Sequence, residues 1–190
     1  MAARKNPKPK SPKIPKSKTL THLDAAGRAR MVDVAGKRVT TRTATAHATL
    51  RMHADTLRAI LDGTTPKGDV LAVARVAGIM AAKRTPELVP LCHAIALTAV
   101  EVSFAPDPDG VRLHVHALVR ARDRTGVEME ALVAASLAAL TVYDMVKAID
   151  LGMLVEVLGV EEKSGGRSGH WRRRLTPGAL HEIANPLVAL

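Results

Sequence analysis

Two stretches of alternating apolar and polar residues, joined by a turn-forming sequence, constrain the fold of this chain more than any other feature. Along 111–122 every second residue is apolar, and the residues between them are mostly Arg and His. The stretch 98–104 alternates in the same way through Val100, Val102 and Phe104. This period of two is typical of strands with one buried face, and Pro106–Gly110 between them (Pro-Asp-Pro-Asp-Gly) favours a turn. The sequence therefore predicts an antiparallel hairpin, with His114 and His116 on its solvent face.

Further elements flank this hairpin on both sides. Thr-rich alternation predicts a strand over 39–50, and helical patterns predict a short helix over 55–61 and a second one capped by Asp69 and stopped by Pro86. Val70, Val73, Ala74, Ala77 and Met80 have helical spacing in that second helix. A long Ala/Leu-rich helix is predicted over 127–149 and a last strand over 153–160.

The order strand, helices, strand, strand, helix, strand predicts an α+β fold. It is the ferredoxin-like split βαβ arrangement with an extra helix in the first crossover. We expect an antiparallel sheet covered by helices on one face. The bare sheet face needs another cover, and a partner subunit of the same chain would supply it.

The net charge of +10 is unevenly distributed along the chain. Residues 1–18 hold seven basic and no acidic residues, residues 19–162 hold 16 basic and 17 acidic ones, and residues 163–190 hold five basic and one acidic. This pattern favours basic tails on a neutral domain rather than a basic binding face. We therefore divide the chain into a disordered Lys/Pro-rich tail (1–18), a single catalytic domain (19–171) and a C-terminal tail of uncertain structure (172–190).

Several classes of protein are disfavoured by the sequence. No uninterrupted apolar run reaches the roughly 18 residues that span a membrane, and the beginning lacks the apolar segment of a secretory signal. The single cysteine, Cys92, excludes an internal disulfide and a multi-cysteine metal site. We expect no metal site in the protein and a location in the cytoplasm.

Asp144 and Lys147 are the first candidates for chemistry. They are three residues apart and share one face of the long predicted helix. An exposed ion pair of this kind contributes only about 0.3–0.5 kcal/mol and needs no function. However, the preceding turns, 131–140, are almost wholly apolar, so the pair could also line a cleft. The spacing alone leaves both interpretations open.

Glu128 and Glu130 begin the same helix. Carboxylates in a first turn are favoured by the helix dipole alone, but two of them also suit hydrogen bonding to guanidine-like N–H groups. Glu130 and Asp144 are 14 residues apart, which is about 21 Å along a helix. If both are catalytic, the site must be shared between subunits.

Other segments supply candidate cations and one imidazole. Lys163–Gly169 (Lys-Ser-Gly-Gly-Arg-Ser-Gly) could turn backbone N–H groups toward an anion, although a flexible connector would have the same composition. Lys67 precedes a helix N-terminus, Arg42 lies in the first strand, and His93 follows Cys92 in a Pro-bounded loop. Several cations, three carboxylates and one imidazole, with only three aromatic residues in the chain, suit a polyanionic small molecule that also has hydrogen-bonding edges. They disfavour the alternative, an RNA-binding module on a ferredoxin-like fold, which would stack bases on aromatic side chains.

Seven ordered motifs resemble those of the MoaC family of molybdenum-cofactor biosynthesis, the cyclic pyranopterin monophosphate synthases. The resemblance covers about residues 19–171. The motifs are Thr21–Gly27, Met31–Val34, Lys67–Asp69, Leu91–His93, Gly126–Leu132, Tyr143–Ala148 and Lys163–Gly169.

The resemblance implies a substrate and an assembly. The substrate would be (8S)-3′,8-cyclo-7,8-dihydroguanosine 5′-triphosphate, and the products would be cyclic pyranopterin monophosphate and pyrophosphate, so the enzyme would be a lyase. No cofactor would be required, although magnesium could accompany the triphosphate. The protein would be a homo-hexamer, a trimer of dimers, with its sites at the dimer interfaces.

The resemblance also implies roles for individual residues. The catalytic pair falls on Asp144 and Lys147. We expect desolvation and neighbouring cations to lower the pKa of Lys147, and Asp144 to oppose that shift. The substrate-binding residues fall on two groups: those on the purine side are Leu91, Cys92, His93, Glu128, Met129 and Glu130, and those on the phosphate side are Lys67, Lys163 and Arg42.

Overall fold

The computed structural model describes residue 24 and residues 26–173, which belong to two separate units, Met1–Val32 and Asp33–Leu190. In the first unit, the Asp24 carboxylate accepts hydrogen bonds from the backbone N–H groups of Ala26 and Arg28, both at 2.9 Å. The predicted tail 1–18 and most of the predicted tail 172–190 lie outside the described residues.

The second unit has the predicted order of strands and helices. In chain order the elements are β1 (Thr40–Arg51), α1 (Ala54–Leu61), α2 (Val70–Lys83), α3 (Thr85–Leu88), β2 (Leu97–Pro106), β3 (Arg112–Asp123), α4 (Glu128–Val146), β4 (Leu154–Ser164) and β5 (Trp171–Arg172). The five strands form one antiparallel sheet in the order β2-β3-β1-β4-β5. This is the expected ferredoxin-like α+β arrangement, with a short fifth strand added at one edge.

The predicted helices are confirmed, except that α2 and α4 each end at a different residue than predicted. Asp69 caps α2 by accepting a hydrogen bond from the N–H of Ala72 at 2.9 Å. Pro86 does not itself stop α2, which ends at Lys83, but lies in the first turn of α3. There its missing N–H costs nothing. The long helix ends at Val146, three residues earlier than predicted, and Lys147 is its C-terminal cap.

The last strand is longer than predicted. β4 continues through the polar residues Glu161 and Glu162 to Ser164, because its second half pairs with β1 on one side and β5 on the other. The apolar pattern that predicted the strand ends at Val160, so it could not reveal this extension. The Gly-rich run 165–169 is the loop between β4 and β5, and no local signal predicted the two-residue strand that follows it.

The core lies between the sheet and the helix pair α2 and α4. Alternate residues of β1 (Ala44, Ala46, Ala48 and Leu50) are fully buried, and so are Ala131, Ala134, Ala135, Ala138 and Ala139 of α4. Such small side chains let the helix backbone approach the sheet and its neighbour closely. α4 is long and apolar enough to cross a membrane by length and composition alone, but half of that window is buried inside the fold, as in many core helices.

α2 buries only part of its apolar surface. Val70 and Ala74 are buried, whereas Val73 and Met80, which share their helical spacing, are about half exposed. The exposed residues belong to an outward groove of about 430 Å³, lined by Ala72, Val73, Val76, Ala77 and Met80. The periodicity was therefore a correct guide to the helix but not to which apolar residues face the sheet.

His114 and His116 do not face solvent, so that expectation was wrong. They are 6% and 8% exposed, and His47, opposite His116 on β1, is 3% exposed. Glu161 enters this cluster from a bulge in β4, with oxygens 3.4 Å from Nδ1 of His47 and 3.5 Å from Nδ1 of His116. Burial lowers the pKa of His47, and the Glu161 charge opposes that shift. Alternation shows which residues share one face of a strand, but the neighbouring strands decide whether that face is exposed to solvent.

Of the three aromatic residues, Trp171 alone lies exposed on the sheet, at 46% on the edge strand β5, and one ring is not a platform for stacked bases. Phe104, the aromatic residue of the hairpin, packs against the core, and the guanidinium of Arg75 lies 5.7 Å from its ring centre. Tyr143 lies on α4 and donates a hydrogen bond to the carbonyl of Leu151 at 3.2 Å. This arrangement disfavours the RNA-binding alternative.

The contact between α2 and α4 provides a test of the packing. A β-carbon on Gly78 would lie 2.9 Å from the Ala134 carbonyl oxygen and 3.2 Å from the Ala138 β-carbon. We expect Gly78→Val to lower the free energy of unfolding by about 1–3 kcal/mol, measured by chemical denaturation. Ala77→Val, on the outward groove, is the matched control, since it places the same branched side chain on the surface of α2 that faces away from α4. Equal effects of the two changes would contradict this account.

Candidate active site

The C-terminal end of α4 carries a cluster of one carboxylate and two ammonium groups. Nζ of Lys147 lies 2.7 Å from Oδ1 of Asp144, and Nζ of Lys67 lies 3.5 Å from Oδ2. Lys67 also donates a hydrogen bond to the Asp144 backbone carbonyl at 2.9 Å. Because Lys67 comes from the turn between α1 and α2, the tertiary fold adds a second cation to the pair that the sequence predicted.

The electrostatics of this cluster differ from our expectation for Lys147. Its hydrogen bond to Asp144 raises the pKa of Lys147, and the two lysines lower the pKa of Asp144. The expected lowering for Lys147 was wrong for the single chain, because about half of the Lys147 side chain is exposed and is therefore little desolvated. In this state Lys147 is protonated and Asp144 is ionised at neutral pH.

The turn after α4 is held by a residue that the sequence did not single out. The carboxylate of Asp150 is almost fully buried, and it accepts hydrogen bonds from the N–H groups of His53 at 2.8 Å and Gly152 at 3.0 Å. His53 is the N-terminal cap of α1. Asp150 therefore ties the segment that follows Lys147 to the helix that leads to Lys67. A lone acid after a helix gives no sequence signal for such a contact.

Glu130, near the other end of α4, is a buried acid. It is 2% exposed, and its Oε2 has no hydrogen-bond partner within the described residues. Desolvation is the main reason that the pKa of Glu130 rises to about 7, and the charges of Glu128 and Asp123 add to the rise. A carboxyl group that is near half-ionised at neutral pH can either donate or accept a hydrogen bond.

The Leu91–His93 loop lies partly buried near this acid. Burial is the main reason that the pKa of Cys92 is raised, and the Glu130 charge adds to it. Cys92 is therefore a neutral thiol rather than a nucleophilic thiolate. Leu91 and His93 are also partly buried, and Met129 is 38% exposed on α4.

The remaining predicted cations also lie at this N-terminal end. Nζ of Lys163 lies 3.1 Å from Oε1 of Glu128 and 2.7 Å from Oγ of Ser168. Arg42 donates hydrogen bonds to the carbonyls of Asp123, at 3.2 Å, and Arg124, at 3.0 Å. Gly166 packs directly against the Arg42 guanidinium, where a β-carbon would overlap it.

The candidate residues thus form two groups at opposite ends of α4. Asp144, Lys147 and Lys67 lie at the C-terminal end, whereas Glu128, Glu130 and Lys163 lie at the N-terminal end. Glu130 and Asp144 are 14 positions apart in sequence, which corresponds to about 21 Å of helix. Within one chain, Lys163 and Arg42 are therefore not next to Lys67, with which we had grouped them. In the part of the chain that the structure describes, no three His, Cys, Asp or Glu side chains are arranged to hold a metal ion.

Comparison with known proteins connects this arrangement to one family. The profile of the MoaC family matches residues 31–166. The chain is 59% identical over 154 residues to a protein of Chloroflexus aurantiacus, which covers 81% of this chain and 94% of that protein. It is 54% identical over 155 residues to a protein of Pelotomaculum thermopropionicum (82% and 91%) and 56% identical over 153 residues to one of Novosphingobium aromaticivorans (80% and 96%). All three relatives are named cyclic pyranopterin monophosphate synthase.

The buried acid gives a prediction about stability and pH. The pKa of Glu130 rises from 4.5 in the unfolded chain to about 7 in the fold, so the folded state binds its proton more tightly. The free energy of unfolding therefore falls as pH rises from 4.5 to 7 and stays lower above 7. We expect Glu130→Gln to stabilise the protein at pH 8 by at most about 3 kcal/mol, and by much less at pH 5. Denaturation at both pH values measures this, and an equal effect at the two would contradict it.

The loop between β4 and β5 gives a second prediction. Gly165 has a φ of +97° and packs so closely on Thr41 that a β-carbon would overlap the carbonyl oxygen. Gly169 has a φ of +62° but open space around its α-carbon. We expect Gly165→Ala to lower the melting temperature clearly more than Gly169→Ala, which bears only the left-handed cost of roughly 1–2 kcal/mol. Equal shifts in calorimetry would show that the close approach to Thr41 does not hold this loop.

Proposed function

The chain belongs to the MoaC family, and we propose that it makes cyclic pyranopterin monophosphate from (8S)-3′,8-cyclo-7,8-dihydroguanosine 5′-triphosphate, with release of pyrophosphate. The observation that carries this proposal is the cluster in which Asp144 contacts both Lys147 and Lys67. It unites an acid–base pair with a further cation, as a reaction that moves protons and expels a polyphosphate requires.

Asp144 and Lys147 would carry out the proton transfers. Opening the five-membered purine ring and closing the new ring both move protons between nitrogen, carbon and oxygen. Lys147, whose raised pKa keeps it protonated, is suited to donate a proton or to neutralise developing negative charge. Asp144 orients the ammonium group through their 2.7 Å contact and accepts a proton in return.

The cationic side chains would assist the reaction at the phosphate groups. Attack of a ribose oxygen on the α-phosphorus forms the cyclic phosphate and breaks the bond to the β-phosphate. Lys67, which is about half exposed beside Asp144, would stabilise the departing pyrophosphate. The reaction makes the enzyme a lyase. We propose that it needs no resident cofactor and that magnesium accompanies the triphosphate.

Glu130 and the residues around it would bind the purine end of the substrate. Its buried Oε2, which has no hydrogen-bond partner among the described residues, suits a guanidine-like N–H group of the substrate, since a carboxylate accepts such donors well. The partly buried Leu91–His93 loop and the half-exposed Met129 would form the walls around the base. Lys163 and Arg42, close to the Gly-rich loop, would meet phosphate oxygens.

Because Glu130 and Asp144 lie far apart along α4, the proposed site requires more than one subunit. A nucleotide cannot bridge about 21 Å of helix and still react at one centre. We propose that each site combines the N-terminal end of α4 from one subunit with the C-terminal end from another, in a cytoplasmic homo-hexamer built as a trimer of dimers. This would bring Lys163 and Arg42 back to the phosphate side.

The central test is substitution of the proposed acid. Lys147→Ala removes a half-exposed side chain, so we expect the fold to persist while turnover falls by at least about 10²-fold. The assay incubates pure protein with the cyclised GTP intermediate and measures pyrophosphate and the cyclic phosphate product. Lys83→Ala, at an exposed position at the end of α2, is the control and should keep its activity. Normal turnover by Lys147→Ala would refute the assigned role.

A further inference from the structure

We propose that Asp150 is a positioning residue for the reaction: its buried carboxylate fixes the turn after α4 and so holds the Lys147 ammonium group against Asp144. This inference rests on the proposed function, in which Lys147 is the acid. We call residues 147–152 the α4 turn. Asp150 acts through this turn rather than on the substrate, because its side chain is only 1% exposed.

The α4 turn has one buried anchor. The helix ends at Val146, so Lys147 already lies at its C-terminal cap. Of the six residues of the turn, five are exposed and Asp150 alone is buried. The apolar side chains of Ile149 and Leu151 are 46% and 74% exposed, so they contribute little to holding the turn. Helix ends fray unless other groups satisfy and hold them, and the group that does so here is a carboxylate.

Both oxygens of the Asp150 carboxylate are used. Oδ1 accepts the N–H of Gly152 at 3.0 Å within the turn, and Oδ2 accepts the N–H of His53 at 2.8 Å, at the start of α1. Burial alone would raise the pKa of Asp150, but the contacts with His53, the Thr56 hydroxyl and the Gly152 N–H lower that pKa below its usual value. The ionised carboxylate therefore makes charge-assisted hydrogen bonds, which are stronger than neutral ones.

The α4 turn is held from two sides. On one side, Asp150 ties it to α1, which is packed into the core through Leu57 and Ile60. On the other side, the Tyr143 hydroxyl of α4 donates a hydrogen bond to the Leu151 carbonyl at 3.2 Å. The turn that begins at the catalytic lysine is thus fixed relative to both helices.

Lys67, the other cation of the cluster, is held independently of the α4 turn. Its own turn is closed by the Thr65 hydroxyl, which donates to the Gly68 carbonyl at 2.6 Å. Lys67 also donates to the backbone carbonyl of Asp144, which lies within the regular helix. A loosened α4 turn should therefore displace the acid and leave the phosphate-side cation in place.

Kinetics of a conservative variant test the role. Asp150→Asn keeps the shape of the side chain, but its amide nitrogen cannot accept the second N–H group. We expect kcat to fall by roughly 10- to 100-fold, because a misplacement of about 1 Å is enough for such a loss, with KM close to that of wild type. Asp55→Asn is the matched control, since it removes the same charge from α1 at a side chain that is 92% exposed. It should keep the wild-type kcat.

Acylation of Lys147 separates positioning from a general loss of stability. The hydrogen bond to Asp144 raises the pKa of Lys147, and in the described part of the chain the Asp150 charge is not among the causes. When the α4 turn loosens, this contact weakens, the pKa falls and more free amine is present. We expect Asp150→Asn to speed acylation of Lys147 by acetic anhydride relative to Lys83, measured by peptide mass spectrometry. Asp55→Asn should leave this ratio unchanged.

The outcomes distinguish this role from the proposed function. A wild-type kcat in Asp150→Asn would overturn the inference, and so would a loss of kcat without faster acylation of Lys147. If Asp150→Asn does not fold, Tyr143→Phe removes the second contact of the turn, and a normal kcat in that variant would overturn the inference as well. An inactive wild type would refute the proposed function, whereas the acylation of Lys147 needs no turnover and would still decide whether Asp150 positions it.

Discussion

The close packing of α4 against the sheet and against α2 is the interaction on which the rest of this structure depends. Its buried face is built largely from alanine, and the facing residues of β1 are alanine too, apart from Leu50. Short side chains gain little hydrophobic free energy individually, but they let backbones approach closely and fill the space at high density. Gly78 is the extreme case, since it brings α2 within contact distance of the α4 backbone. A helix held in this way is a rigid support for groups at its ends.

That rigid helix separates the chemistry into two environments. At its C-terminal end, Asp144 and the lysines are half exposed, so they remain charged and stabilise each other's charges. At its N-terminal end, Glu130 is buried, and desolvation brings its pKa to about 7. Two carboxyl groups on one helix are thus tuned in opposite directions by burial and by neighbouring charge. One is suited to ionic chemistry and the other to recognition of hydrogen-bond donors.

The same separation makes the single chain an incomplete enzyme under the proposed function. Each end of α4 has charges that the opposite end complements, and the helix face between them carries the exposed apolar side chains of Met129 and Leu140. The hairpin pattern predicted that His114 and His116 are exposed to solvent, but both are buried on the other face of the sheet. Exposed apolar surface therefore lies on the helix layer, whereas we first expected it at the bare face of the sheet.

The sequence by itself determined the order of the longer elements, the hairpin, the cap at Asp69 and the motifs that identify the family, because these depend on local periodicity, on turn chemistry and on residue identity. It also placed Asp144 beside Lys147, since a helix brings residues three apart onto one face. Only the tertiary structure decided that Lys67 joins them, that Asp150 holds the following turn, that Glu130 is buried, and that Lys163 pairs with Glu128. These contacts join residues far apart in sequence or depend on burial, and both are set by how the layers pack rather than by any local pattern.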